Sequence, residues 1–205
     1  MKKKKLSAKK IAIIMAIVSL VSFGYKLTIG ILATSLVMII AAIPTFFVFV
    51  CKAMYAHNMN QTKEQKIKAY LIMTIATACF AAIFILFSIL KVGGIDITNQ
   101  NRFEGWIGLV FIFFIILMFV LSIINLTGAL VKSDLVLIGI KEITFVSALA
   151  DAVMIYEFLY RVILGYIEGV IPFLSLISNY LPLAIGVLMA LVPIKMFKRY
   201  KECSE

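Results

Sequence analysis

Long apolar runs separated by short, lysine-rich breaks set the rhythm of this chain. The first run, Ile11 to Tyr25, follows "MKKKKLSAKK" and gives way at Lys26 to a second, Leu27 to Val50. Further runs cover about 69–90, 105–131, 135–160 and 180–197. A bilayer core about 30 Å thick takes roughly 20 apolar residues of helix. The pattern therefore predicts six transmembrane helices, the first and last of marginal length. Strands of about ten alternating residues, the mark of a membrane β-barrel, are not in the pattern.

Between the fifth and sixth runs lies "RVILGYIEGVIPFLSLISN", broken by Gly165, Gly169 and Pro172. Gly and Pro interrupt helices, so residues 161–179 are expected to form an outer loop with a short interfacial or re-entrant helix. Pro44 and Pro193 are expected to kink spans two and six. The lysine-rich opening and Ile11–Tyr25 also have the parts of a secretory signal, with a weak cleavage site at Ser22-Phe23-Gly24. A second apolar run follows at once, so Ile11–Tyr25 reads as a retained span. No intervening segment is large enough to fold alone. The expected fold is an all-α polytopic membrane bundle, residues 1–205 forming a single membrane domain.

Composition strengthens this reading. Of 205 residues, 63% are hydrophobic, against about 45–50% in soluble domains, and the mean hydropathy is +1.10. The net charge of +10 is placed at the ends of the apolar runs. With the N-terminus inside, fifteen bases fall on inner segments, among them Lys52, Lys63, Lys66, Lys68, Lys132 and Arg199. Lys26, Lys91, Arg102 and Arg161 fall outside. This bias predicts an N-in/C-in topology, with Tyr25, Trp106, Tyr160 and Tyr166 at the outer interface. The implied location is the plasma membrane, with both termini cytoplasmic. The implied partners are the lipid bilayer, anionic headgroups at its cytoplasmic face and, in some roles, another membrane protein. Nucleic acid is not among them, because no basic segment is interleaved with aromatics.

Candidate chemistry is sparse. Cys51, Cys79 and Cys203 are scattered, and His57, the only histidine, lies in a polar stretch. No metal site or cofactor is expected from such a set, and no catalytic motif appears. Ala78-xxx-Ala82 and Gly30-xxx-Thr34 suggest close helix approach, Cys79 suggests packing, and Lys141 and Glu142 are expected to snorkel to the inner headgroups.

The exception is "ADAVMIYEFLYRVILGYIEG", residues 150–169. At about 100° per residue, Glu157, Arg161 and Glu168 lie within roughly 40° of one another, with Ser147 and Asp151 to one side. Glu157 and Arg161 stand in the favourable i, i+4 order, so an outer-interface ion pair with Glu168 nearby is expected. Asp151 falls near the middle of its span, where an acid costs about 2.5–3.5 kcal/mol on insertion scales. It should face the bundle beside Ser147, as an intramembrane polar site. No base is expected at its depth.

"YEFLYRVILGYI" resembles the EExxxR helix of the CAAX-protease and bacteriocin-processing membrane family, whose members are polytopic glutamate proteases. Glu157 and Arg161 match the second Glu and the Arg, while Tyr156 stands where the family has its first, water-activating Glu. The family's later His-bearing helices have no counterpart, since His57 lies upstream. A site without base, nucleophile or metal lacks reaction machinery, so the expectation is a non-enzymatic protein. A small-solute or ion transporter, or the membrane subunit of one, leads. An interaction, regulatory or immunity-type membrane protein is the alternative, and a degenerate intramembrane protease-like protein comes third.

Overall fold

A computed structural model describes residues 8–32, 36–57, 62–94, 134–166 and 172–204, with the short pieces 109–110, 112–113, 116–117 and 119–120. The described residues form five helices: α1 (Ala8–Leu32), α2 (Leu36–His57), α3 (Lys63–Val92), α4 (Leu135–Tyr166) and α5 (Pro172–Ser204). Three stretches, Ile39–His57, Lys63–Val92 and Leu176–Ser204, are long and apolar enough to cross a membrane, and α1 adds the shorter apolar stretch Ala12–Thr28. The outward faces are apolar: Ile17 and Val21 on α1, Ile72 and Leu86 on α3, and Leu191 and Ile194 on α5 are exposed. Water penalises contiguous apolar surface of this kind, and lipid does not.

Local signals fix several helix ends. Thr62 accepts from the Gln65 amide while Gln65 Oε1 accepts from the Thr62 amide, a reciprocal cap at the start of α3. Asp134 caps α4 by accepting from the Val136 amide at 3.0 Å. At the end of α3, Gly94 adopts φ 78°, which a residue without Cβ reaches freely.

Two boundaries differ from the sequence pattern. The first helix does not end at Tyr25; α1 runs through Lys26 to Leu32. Leu27–Leu32 holds no proline and a single glycine, which a helix tolerates, and Lys26 finds a carboxylate inside the bundle instead of a headgroup at its edge. The expected 161–179 loop is largely helix, since α4 continues to Tyr166 and α5 starts at Pro172. Proline suits a first helical position, where its missing N–H is not needed. Pro44, Pro182 and Pro193 all lie within helices. The expected span 105–131 lies, apart from the short pieces named, outside the described residues, as does Glu168.

Side-chain contacts give the helix directions. Along α1 and α2, Ser19 meets Lys52, Phe23 meets Phe46 with ring centroids 4.8 Å apart, and Lys26 meets Thr45. These helices are antiparallel. Their crossing needs Gly30, where a Cβ would sit 2.9 Å from the Ile39 backbone nitrogen. On α3 and α4, Lys66 meets Asp134, Tyr70 meets Glu142 and Lys91 meets Glu157, so these helices are parallel. Helix α5 runs against α3, with Ser178 near Lys91 and Arg199 near Tyr70. Gly139 and Gly186 are the other close-packed glycines, against Met73 and Ile85. Ala78 and Ala82 point outward with Cys79, so close packing on α3 falls to Thr77, Ala81 and Ser88, on its opposite face. Two apolar clusters, one around Phe80, Phe84, Val153 and Met189 and one around Val48, Met73, Ile143 and Met196, sit against α4. Helix α4 touches α2, α3 and α5.

Candidate functional site

Helix α4 and its cap carry Asp134, Glu142, Asp151 and Glu157, and each meets a base from another helix. The four pairs differ in depth. Lys66 and Asp134, 2.9 Å apart, keep 31% and 21% side-chain exposure. One step further along α4, Glu142 accepts from Arg199 Nη1 at 2.6 Å and from the Tyr70 hydroxyl at 2.8 Å. Glu142 is therefore tied sideways to α3 and α5, which corrects the expectation that it reaches for headgroups.

Asp151 is the deepest. Its side chain and that of Lys26 are 2% and 4% exposed, with Lys26 Nζ 2.5 Å from Oδ1. The ammonium donates to Thr45 Oγ1 at 2.5 Å, and the Thr45 and Ser147 hydroxyls are 2.8 Å apart. Three helices thus close on one centre: α1 brings Lys26, α2 brings Thr45, and α4 brings Ser147 and Asp151. The last two are four residues apart and so share a helix side. Among the described residues neither carboxylate oxygen of Asp151 has an aligned hydrogen bond. The Lys26 contact is a charge contact, its aligned bond going to Thr45. The expectation of no base at this depth is corrected by Lys26. Moving the hairpin from residue 26 to after Leu32 carries this lysine from the membrane edge into the bundle.

The polar seam continues along α1 and α2. Ser22 is buried one turn from Lys26, and Lys52 donates to Ser19 Oγ at 3.0 Å. Lys52, expected in a cytoplasmic loop, is buried within α2.

Glu157 was expected beside Arg161. It accepts from Lys91 of α3, and Ser178 of α5 donates to the same oxygen at 3.1 Å. Lys91 also donates to the Ser178 carbonyl at 3.0 Å. The Arg161 side chain lies outside the described residues. Tyr156, at the position of the missing first Glu, has its ring stacked near Tyr160 at 6.4 Å.

Among the described residues no three of His, Cys, Asp and Glu gather in a metal-holding group. His57 is exposed at the end of α2, and Cys51 is buried. A cavity of about 100 Å³ lies between α2, α3 and α4, lined by Pro44, Phe47, Thr77, Phe80, Ile143 and Val146. Its walls are mostly apolar, and its residues Pro44 and Val146 neighbour Thr45 and Ser147 in sequence.

The chain matches no family model, no curated protein and no solved structure. The glutamate-protease resemblance therefore stands on its dozen residues alone, and its Glu157 is committed to a lysine and a serine. Chemically, the Lys26–Asp151 centre has the parts to hold or exchange one positive charge: a carboxylate, two hydroxyls and an ammonium that can give up a proton. Sequence reading found Asp151 and Ser147 and missed Lys26, Thr45, Lys91 and Ser178. One usable signal is that no proline or polar cluster follows Lys26 until the Thr34-Ser35 pair, which begins eight residues on.

Proposed function

We propose that this chain is a six-span, multi-pass plasma-membrane protein with both termini cytoplasmic. It moves a small ion or solute, or forms the membrane subunit of a transporter, and the Lys26–Asp151 centre is its working site. The observation that carries the reading is that centre: an ion pair buried between three helices, with hydroxyls around it and unfilled acceptor capacity on the acid. Ionisable groups at membrane depth are expensive and are retained where they face a pathway. A purely structural bundle does as well or better with apolar residues in their place.

The six-span reading draws on the apolar runs of the sequence: α3 and α4 run parallel, and the apolar run 105–131 between them has the length of a span. The lysine bias supports the N-in orientation, and Lys26 and Lys91, two of the four bases assigned outside, are offset by acids. The reading is non-enzymatic, with Glu157 serving to tie α3, α4 and α5 together.

Purified full-length protein in proteoliposomes loaded with a pH-sensitive dye tests this. An imposed sodium or potassium gradient should drive a proton signal that Asp151→Asn removes while leaving size-exclusion behaviour intact. An Asp151→Asn protein that matches the unsubstituted one would remove the centre from the function.

A further inference from the structure

The contents of the central site narrow the transported species, on the reading just given. Lys26 Nζ occupies a cradle of oxygens, within 2.5 Å of both Asp151 Oδ1 and Thr45 Oγ1, with Ser147 Oγ next in line. Oxygen donors of this kind are what hard cations take. The cradle offers one formal negative charge. A divalent ion would leave a net positive charge between the helices, whereas a monovalent ion is balanced. We propose that Lys26 is a built-in counter-cation, and that a hard monovalent cation such as Na⁺ takes its place on Asp151 in exchange for one proton.

The exchange balances as follows. With Lys26 charged and Asp151 ionised, the centre is neutral. When Na⁺ binds the carboxylate, the Lys26 N–H bond breaks, its electron pair stays on nitrogen as a free amine, and H⁺ leaves. One positive charge enters, one departs, and the centre is neutral again. Keeping both cations would place an uncompensated charge at membrane depth. The charged and titratable groups packed around the centre are few among the described residues. Tyr25 of α1 adjoins Lys26 in sequence, Lys52 of α2 lies along the seam beyond Ser22 and Ser19, and Glu157 of α4 is engaged by Lys91 of α3. The α1–α2 seam, with buried Ser22, Ser19 and Lys52, is the polar way out for the proton.

A lysine can shed its proton in a low-dielectric site and an arginine cannot, which separates exchange from a purely structural pair. The test is calorimetric titration of the purified full-length protein with NaCl, in buffers of differing ionisation enthalpy, with choline chloride as the ionic-strength control. The unsubstituted protein should bind Na⁺ with about one proton released per ion, as the charge balance requires. Lys26→Arg keeps the fold and the ion pair and should lose Na⁺ binding at least tenfold. Lys26→Met, where it folds, should bind Na⁺ with the proton now leaving the otherwise uncompensated carboxyl of Asp151, and Asp151→Asn should bind none. Na⁺ binding by Lys26→Arg equal to the unsubstituted protein, binding without proton release, or no binding to the unsubstituted protein overturns the exchange. If exchange fails while dye-detected flux still depends on Asp151, the transport reading survives. If Asp151→Asn leaves flux unchanged, the transport reading itself falls.

Discussion

A buried carboxylate and a buried ammonium are each costly alone and tolerable together. Glu157 and Lys91 show this outside the central site, at 8% and 18% side-chain exposure, with Ser178 bridging them. Removing one member of such a pair costs about 3–5 kcal/mol, because the other is left uncompensated, while replacing both with apolar residues is often neutral. Glu157→Leu should therefore lower the thermal midpoint in detergent sharply, and Lys91→Met combined with Glu157→Leu should recover most of the loss. A double variant no more stable than the single would show that the pair is not coupled. Lys66–Asp134, far more exposed, should contribute only about 0–1 kcal/mol. Asp151 is legible in the sequence as a lone acid in an apolar run. Its partner is not, because Lys26 sits where two apolar runs abut and looks like a boundary marker.

Helices were easier to read as segments than as neighbours. Apolar runs mark where α2, α3 and α5 lie, but hydropathy cannot tell a lysine that ends a helix from one neutralised inside it, so the pattern places the end of the first helix seven residues early. The 161–179 segment shows the converse. Gly165 and Pro172 look like breaks, yet Gly165 lies within α4 and Pro172 serves as a helix start. Which helix faces which is absent from periodicity altogether, because a membrane helix can be apolar on all sides. The parallel run of α3 and α4 gives the six-span reading a direct consequence. In a background without native cysteines, His57→Cys and Lys132→Cys should react with a membrane-impermeant reagent only from the cytoplasmic side, and Asn99→Cys only from outside. Asn99→Cys and Lys132→Cys labelled from one side would mean that the chain does not cross between them.

At the scale of the molecule, charge is sorted by depth. Bases dominate the chain, twenty against ten acids, and the acids of α4 and its cap each hold one of those bases between helices. Lys52, buried within α2, holds the Ser19 hydroxyl in place of an acid. The Lys26–Asp151 pair is the member of this set that lies deepest, and the proposed function and exchange both stand on it. Its existence in lipid can be observed without any assay of activity. Solid-state NMR on the full chain in lipid bilayers, with ¹⁵N-lysine and ¹³C-aspartate labels, reads contacts between lysine Nζ and aspartate carboxyl carbon. Asp134→Asn as background removes the signal of the outer Lys66–Asp134 pair. A remaining short-range Lys–Asp contact that disappears in Lys26→Met is the expected result. A spectrum with no such contact, or one that persists after Lys26→Met, would contradict the pairing on which the site is built.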